Sequence, residues 1–510
     1  MSDRNMLKWT GIVTVLLVIS RLLGFVRETA IAYRFGTSAV TDAYLVAAVI
    51  PQILFMAFND AVKTGFIPVY GEYHRQGEGN AFARTVYVLL GAILILTSFV
   101  LVLAAPLVVR LVAPGFGGET YGLTVAMSRI LMPGLVFIGL SGLSAGLLHT
   151  KKNFVVPAIV AFPSNLIVIA AAIFFGVRFG IVGLAWGTFI GMITQFLIQV
   201  PAVARQGIFK RDKLLWKHPG IKKMGVLLPP VILGGAALEL KSVVDRVFGS
   251  LLPEGSIAAL NFSNRIYLLP HSILILALLT VIYPTLVELH VEGKIGEFKD
   301  TLRQGIGLVI VSIFPMMVGL VVLRVEIVRL LFERGAFDVS ATHSTAFALA
   351  FYSLGLVGVG WQLMMNRAFY AMKDTVTPMI VTIVLVVLNI FFNWILIGPL
   401  QHGGIALGTA LSINIGTVLL GYLLRKKIGP FGGSRIFKTL WKSGLASLAM
   451  AAVVTVGRNY LTGGGFSRQA LEIGILIGVG AAVYFAMIYL LGVEELQAGL
   501  RLIRRRKSRV

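Results

Sequence analysis

Arg21, Arg27 and Glu28 stand inside an apolar run, Trp9 to Tyr33, that is long enough to cross a bilayer. A charge near the centre of a spanning helix costs about 2.5–3.5 kcal/mol on insertion scales, so it faces a partner or a wet cavity. Other charges inside apolar runs include Asp42, Asp60, Lys63, Arg129, Lys241, Asp245, Arg246 and Arg265. Arginine leads this set, and its planar fork matches phosphate and carboxylate oxygens in a bidentate way. A cavity with several arginines and few free acids selects an anion, phosphate or pyrophosphate above all. Internal ion pairs, Arg27 with Glu28 or Asp42 and Arg246 with Asp245, are a second reading compatible with the first. Arg21 and Arg27 are six residues apart, about 240° around a helix, so they share a stripe only if the helix bends, and Gly24 lies between them.

The elements that position these groups are membrane helices. The chain has 510 residues, 57% of them hydrophobic and 13% charged, with a mean hydropathy of +0.88. Runs of 20 or more apolar residues indicate helices rather than barrel strands. Fourteen such runs fall near 9–33, 41–66, 84–112, 124–148, 154–175, 181–203, 225–250, 257–288, 304–332, 341–371, 377–397, 403–424, 440–461 and 469–491. The first is too long for a signal segment and has no cleavage pattern after it, so it is read as retained. With a cytoplasmic N-terminus, cytoplasmic segments hold about 30 of the 45 Lys and Arg and external ones about 8. That asymmetry predicts that both termini are cytoplasmic. The net charge of +23 is crowded into these short loops, where it sets topology and meets anionic phospholipid; no aromatic-interleaved module for nucleic acid is visible.

The chain also repeats itself. Ile67 to Glu72 matches Tyr283 to Glu288, and Lys152-Asn153-Phe154-Val155-Val156-Pro157 matches Lys373-Asp374-Thr375-Val376-Thr377-Pro378. Arg34-Phe35-Gly36-Thr37 recurs as Val247-Phe248-Gly249-Ser250, and Gly183 to Thr188 resembles Ile405 to Thr409. Six spans per unit with the same starting side make the repeats parallel, with a central cavity and rocking of one lobe against the other as the expected mechanism. The expected fold is an all-α polytopic membrane protein. Its N-lobe is 1–204, a basic cytoplasmic linker is 205–224, its C-lobe is 225–424, and 425–510 holds two further helices and a basic tail.

Several chemistries are excluded. There is no cysteine, so thiol catalysis and disulfides are absent. No Gly-x-x-x-x-Gly-Lys-Ser/Thr occurs, which argues against ATP hydrolysis by this chain. The histidines form no pair at ligand spacing within a span. A membrane glycosyltransferase would want an acidic pair on a large aqueous loop, and a cationic-drug antiporter an excess of cavity acids; neither is present. A non-transporting scaffold for wall enzymes would have no need of buried Arg21 and Arg27. The chain is therefore read as a transporter and not an enzyme, needing no cofactor.

Ser20-Arg21-Leu22-Leu23-Gly24-Phe25-Val26-Arg27-Glu28, Phe35-Gly36, Thr41-Asp42-Ala43 and Phe66 to Tyr73 resemble the opening signature of the MurJ (MviN) family of lipid II flippases, in the multidrug/oligosaccharidyl-lipid/polysaccharide exporter superfamily. Ala113-Pro114-Gly115-Phe116, Asn264-Arg265 and Phe369 to Pro378 extend the likeness along the chain. The resemblance implies transfer of an undecaprenyl-pyrophosphate-linked peptidoglycan precursor from the cytoplasmic to the outer leaflet of a bacterial cell membrane, by a monomer. A flippase for another polyprenyl-pyrophosphate oligosaccharide is the nearest alternative. By the same resemblance Arg21, Arg27 and Arg265, the acids Glu28, Asp42 and Asp60, and Ser20 and Asn165 fall at cavity positions. The family often has an arginine after the proline of span 2; here Pro51 to Met56 carries none, and Lys63 stands in for that charge. Some relatives hold sodium in a pattern resembling Asp245, Asn389, Asn393, Thr409 and the backbone of Ile405, with Asn393 where a relative has a second acid.

Overall fold

The computed structural model describes residues 3–208, 214–461 and 464–495. Within these ranges the side chains of residues 3–10, 12, 14, 54, 55, 57–61, 63, 64, 227, 229–238, 270–274, 276 and 277 stand outside the description. The described residues form helices, and they fall into two compact units: 1–258 with 334–337, and 259–333 with 338–510.

The first unit contains α1 (Asp3–Phe35), α2 (Ala39–Ala61), α3 (Ile67–Arg75), α4 (Gly79–Leu103), α5 (Ala105–Val112), α6 (Gly118–Leu131), α7 (Gly134–Thr150), α8 (Val155–Ile159), α9 (Ala161–Ala170), α10 (Gly176–Leu197), α11 (Val200–Ala204) and α12 (Pro219–Ser250). α12, which the repeat aligns with α1, packs on α2 within this unit. Two π-helical turns, Val62–Phe66 and Ala171–Phe175, carry α2 into α3 and α9 into α10. Such turns widen a helix locally and often lie at functional positions. The short segment 334–337 belongs here as well. The Ala336 amide donates to the Tyr33 carbonyl at 2.8 Å, and a Cβ on Gly36, whose φ is 59°, would lie 2.3 Å from the Ala336 oxygen. Only glycine fits that place.

The end of this unit near α3 is closed by aromatic rings. Phe66 stacks on Tyr70 and on Phe82, with centroids 5.4 and 6.2 Å apart. His218, just before α12, sits edge-on to Tyr73 at 4.3 Å and bonds Glu78 at 3.1 Å. The Leu215 amide donates to the Thr85 hydroxyl at 2.9 Å, and Lys223 reaches Glu72 at 2.8 Å. The second half of the basic linker is therefore held on α3 and α4. Lys210, Arg211 and Lys213, which the sequence makes its most basic stretch, lie outside the described residues.

The second unit contains α13 (Ser256–Val291, from Ala259 on), α14 (Ile295–Val322), α15 (Arg324–Phe332), α16 (Val339–Ser353), α17 (Leu356–Ala371), α18 (Val376–Leu400), α19 (His402–Ile428), α20 (Gly433–Arg458) and α21 (Phe466–Leu490). α18 and α19 form an antiparallel pair, while α20 and α21 pack together with α14. Tyr484 donates to the Val311 carbonyl at 2.8 Å and anchors α21.

Seven helices among the described residues are long and apolar enough to cross a membrane, or nine if each of the bent pairs α6–α7 and α16–α17 is one span. One of the seven, 155–204, covers two expected spans that meet at Gly180, where φ is 58°. The expected spans 9–33, 41–66, 225–250 and 257–288 fall on α1, α2, α12 and α13, the helices that carry most of the in-span charges. Large apolar side chains stay exposed along the others, among them Leu96, Phe99 and Leu103 on α4 and Val387 and Trp394 on α18. That is the surface of a protein whose solvent is lipid.

The repeat extends to the backbone. Residues with positive φ recur as Gly77 and Gly293, Lys152 and Lys373, Gly180 and Gln401, and Gly207 and Gly429. The same turn surrounds the lysine pair: Asn153 donates its amide to Leu148 at 2.8 Å, and Asp374 to Phe369 at 2.9 Å. Each side chain then caps the next helix, Asn153 Oδ1 accepting from the Val156 amide and Asp374 Oδ1 from that of Thr377.

Candidate substrate site

α1 runs as one helix through Gly24. Ser20, Gly24 and Arg27 share a face by the 3.6-residue period, and Arg21 is turned about 100° away from Ser20. Arg21 is exposed; Ser20 and Arg27 are half-buried. The shared face meets α9. A Cβ on Gly24 would lie 3.9 Å from the Asn165 amide nitrogen, an ordinary van der Waals distance.

Arg27 is held from two sides. Its Nη2 donates to Glu28 Oε1 at 2.7 Å and its Nη1 to Asn165 Oδ1 at 3.2 Å. Glu28 and Asn165 are buried, whereas the Arg27 side chain keeps 31% of its surface exposed. Two of its five N–H groups are thus fixed by protein oxygens, which orients the fork. Charge-assisted bonds of this kind are about twice as strong as neutral ones, so the pose is well determined. Nearby, the Tyr44 hydroxyl bonds that of Thr188 at 2.8 Å and ties α2 to α10.

Asp42 is placed differently. Its two oxygens accept the amides of Gly255 and Ala258, each at 2.7 Å, and the residue is buried. Glu28, rather than Asp42, is the acid bonded to Arg27. Asp60 lies on α2 and Lys63 on the π-turn that follows; both side chains stand outside the described residues. Arg265 lies on α13 of the second unit, half-buried.

The residues matched to a sodium site divide between the units. Asp245, in the first, is paired with Lys241 at 2.8 Å one helical turn away. Asn389, Asn393 and Thr409, in the second, are buried and bond in series: Asn393 Nδ2 to Asn389 Oδ1, and Asn389 Nδ2 to Thr409 Oγ1, each at 3.3 Å. Ile405 is fully buried beside them on α19. An ammonium faces the one carboxylate of the set, and the amide oxygen of Asn389 accepts an N–H. The Lys241–Asp245 spacing was readable as an i,i+4 pair; sequence reasoning passed over it in favour of Asp245 with Arg246.

A family model described as lipid II flippase MurJ matches residues 31–490. A probable lipid II flippase MurJ of Vibrio cholerae is 32% identical over 96% of this chain and 97% of its own. The lipid II flippase MurJ of Burkholderia cenocepacia is 29% identical over 93% of this chain and 95% of its own. Among solved structures, lipid II flippase MurJ in an inward closed conformation matches with a TM-score of 0.79 at 25% identity, over 94% of this chain and 99% of that one. An inward-facing multidrug resistance MATE family transporter of the MOP superfamily matches at 0.69 and 15% identity, over 82% of this chain and 99% of its own, a likeness of fold.

Proposed function

Because this chain belongs to the MurJ family of lipid II flippases, and so carries that lipid across a membrane, we propose that Arg27 is the group that engages its pyrophosphate. The observation that supports this is the part-exposed Arg27 side chain on α1, aimed by Glu28 and Asn165 through two of its five N–H groups. In the absence of cargo Glu28 balances the charge and makes the part-buried arginine tolerable. An arriving pyrophosphate adds acceptors to the free edge of the fork and strengthens the local field without requiring Glu28 to leave. The prenyl tail stays in lipid while the head group passes, and alternating access of a bacterial plasma-membrane protein carries it from the cytoplasmic to the outer leaflet. Anionic phospholipid meets the basic loops on the cytoplasmic side. Arg21, Ser20 and Lys63, and Arg265 in the second unit, are further candidates for cargo contact.

The test is complementation of a strain depleted of its lipid II flippase, with membrane abundance measured for every variant. Each charge-assisted contact contributes about 1.5–3 kcal/mol, so Arg27→Ala should weaken cargo binding roughly ten- to a hundredfold. Arg27→Lys keeps the charge but loses the fork and should rescue in part. Full growth with both Arg27→Ala and Arg265→Ala at normal abundance overturns the assignment; loss of abundance in place of activity supports a purely structural ion pair.

A further inference from the structure

The second unit has an open cavity of about 450 Å³ where α15, α16 and the turn between α18 and α19 meet. Arg324, His343, Ser344, Phe347, Gln401 and His402 line it, and no Asp or Glu is among its lining residues. Arg324 Nη1 donates to the Val321 carbonyl at 2.8 Å, which steadies the guanidinium and leaves its other N–H groups for a ligand. His402 Nε2 donates to the Ser344 carbonyl at 2.9 Å, and its ring meets Phe347 edge-on at 5.7 Å. His343 is exposed at the rim.

Gln401 adds an independent observation. Its backbone, at φ 48° and ψ −129°, lies where glycine is strongly favoured. The matching residue of the first repeat, with φ 58° and ψ −149°, is glycine, Gly180. The second repeat thus keeps a strained side chain, and that side chain is an amide at the edge of a basic cavity. Strain retained at a position where its own repeat partner has none points to use of the side chain rather than to the turn. We infer that this cavity binds a phosphate group, carried either by a lipid head group or by soluble phosphate. The Arg324 fork, the His343 ring and the Gln401 amide supply donors in its lining, and no acid in the lining competes for them. By the charge asymmetry of the loops this end of the unit faces outward, away from the basic tail. The site shares no residue with the Arg27 reading.

The experiment uses the full-length protein carrying Arg27→Gln, so that the arginine of the first unit does not contribute. Inorganic pyrophosphate is titrated in detergent with thermal unfolding as the readout. In parallel, lipid retention is measured by native mass spectrometry from nanodiscs of phosphatidylcholine alone or mixed with phosphatidylglycerol. Arg324→Gln with His343→Gln removes two of the donors and should weaken binding of whichever phosphate the cavity takes by about tenfold or more. Gln401→Gly should raise the ligand-free unfolding temperature, since the backbone relaxes, and still weaken binding. Stabilisation by pyrophosphate assigns the site to soluble phosphate, and selective retention of phosphatidylglycerol assigns it to a head group. Binding of neither, or binding undiminished in both sets of variants, overturns the inference.

Discussion

Arg27 and Asp42 are both charged residues inside apolar runs, yet their surroundings give them opposite work. Arg27 spends two of its five N–H groups on a carboxylate and an amide, whereas both oxygens of Asp42 accept backbone amides. Removing the Asp42 carboxylate strands two buried donors, about 1–3 kcal/mol each. Asp42→Ala should therefore lower the yield of monodisperse protein in detergent, with little further loss of transport per folded molecule. A stable but inactive Asp42→Ala would return that acid to the cargo site. Asn165→Ala should do the reverse: normal yield, and growth in complementation reduced severalfold because the Arg27 fork loses one of its two guides. The identity of the in-span charges and the Arg27–Glu28 pair could be read from the sequence, since both are local. That Asn165 touches Arg27 depends on helices 138 residues apart in the chain, and only the family resemblance pointed to it. The amides that claim Asp42 come from a distant turn and carry no side-chain signature at all.

The turns that join helices show how far a repeat pattern reaches. Matching Lys152 to Val156 with Lys373 to Thr377 identified related segments; the structure adds that both lysines have φ of 59° and that Asn153 and Asp374 cap the helices that follow. No sequence rule requires a lysine in that conformation, so the geometry was not legible even where the motif was. Lys373→Gly should raise the unfolding temperature slightly, because glycine tolerates positive φ without a Cβ penalty. Asp374 makes a sharper prediction. Burial alone would raise its carboxyl, but the Lys427 ammonium and the Thr377 amide and hydroxyl outweigh that and hold it at about 2. A carboxyl depressed in the folded state stabilises above its unfolded value of about 3.8 and loses that contribution as pH falls toward 2. Unfolding temperature should drop over that window in the parent protein, and the drop should be smaller in Asp374→Asn.

For the molecule as a whole, hydropathy pointed to the seven to nine helices that are long and apolar enough to span among the described residues, while the break at Gly180 and the two π-turns came from packing that the apolar pattern does not encode. Topology remains a charge argument, and it predicts that a tag placed after Val510 is shielded from a non-permeant reagent in intact cells; labelling without permeabilisation would reverse the orientation. The linker leads to a different kind of experiment. Its second half is fastened to α3 and α4 by Leu215 on Thr85, His218 on Glu78 and Lys223 on Glu72, and α12 beyond it packs on α2. These contacts hold the two sides of the join together. The gene can accordingly be divided there into two reading frames, whose products should find each other in the membrane and restore growth as a nicked but working transporter.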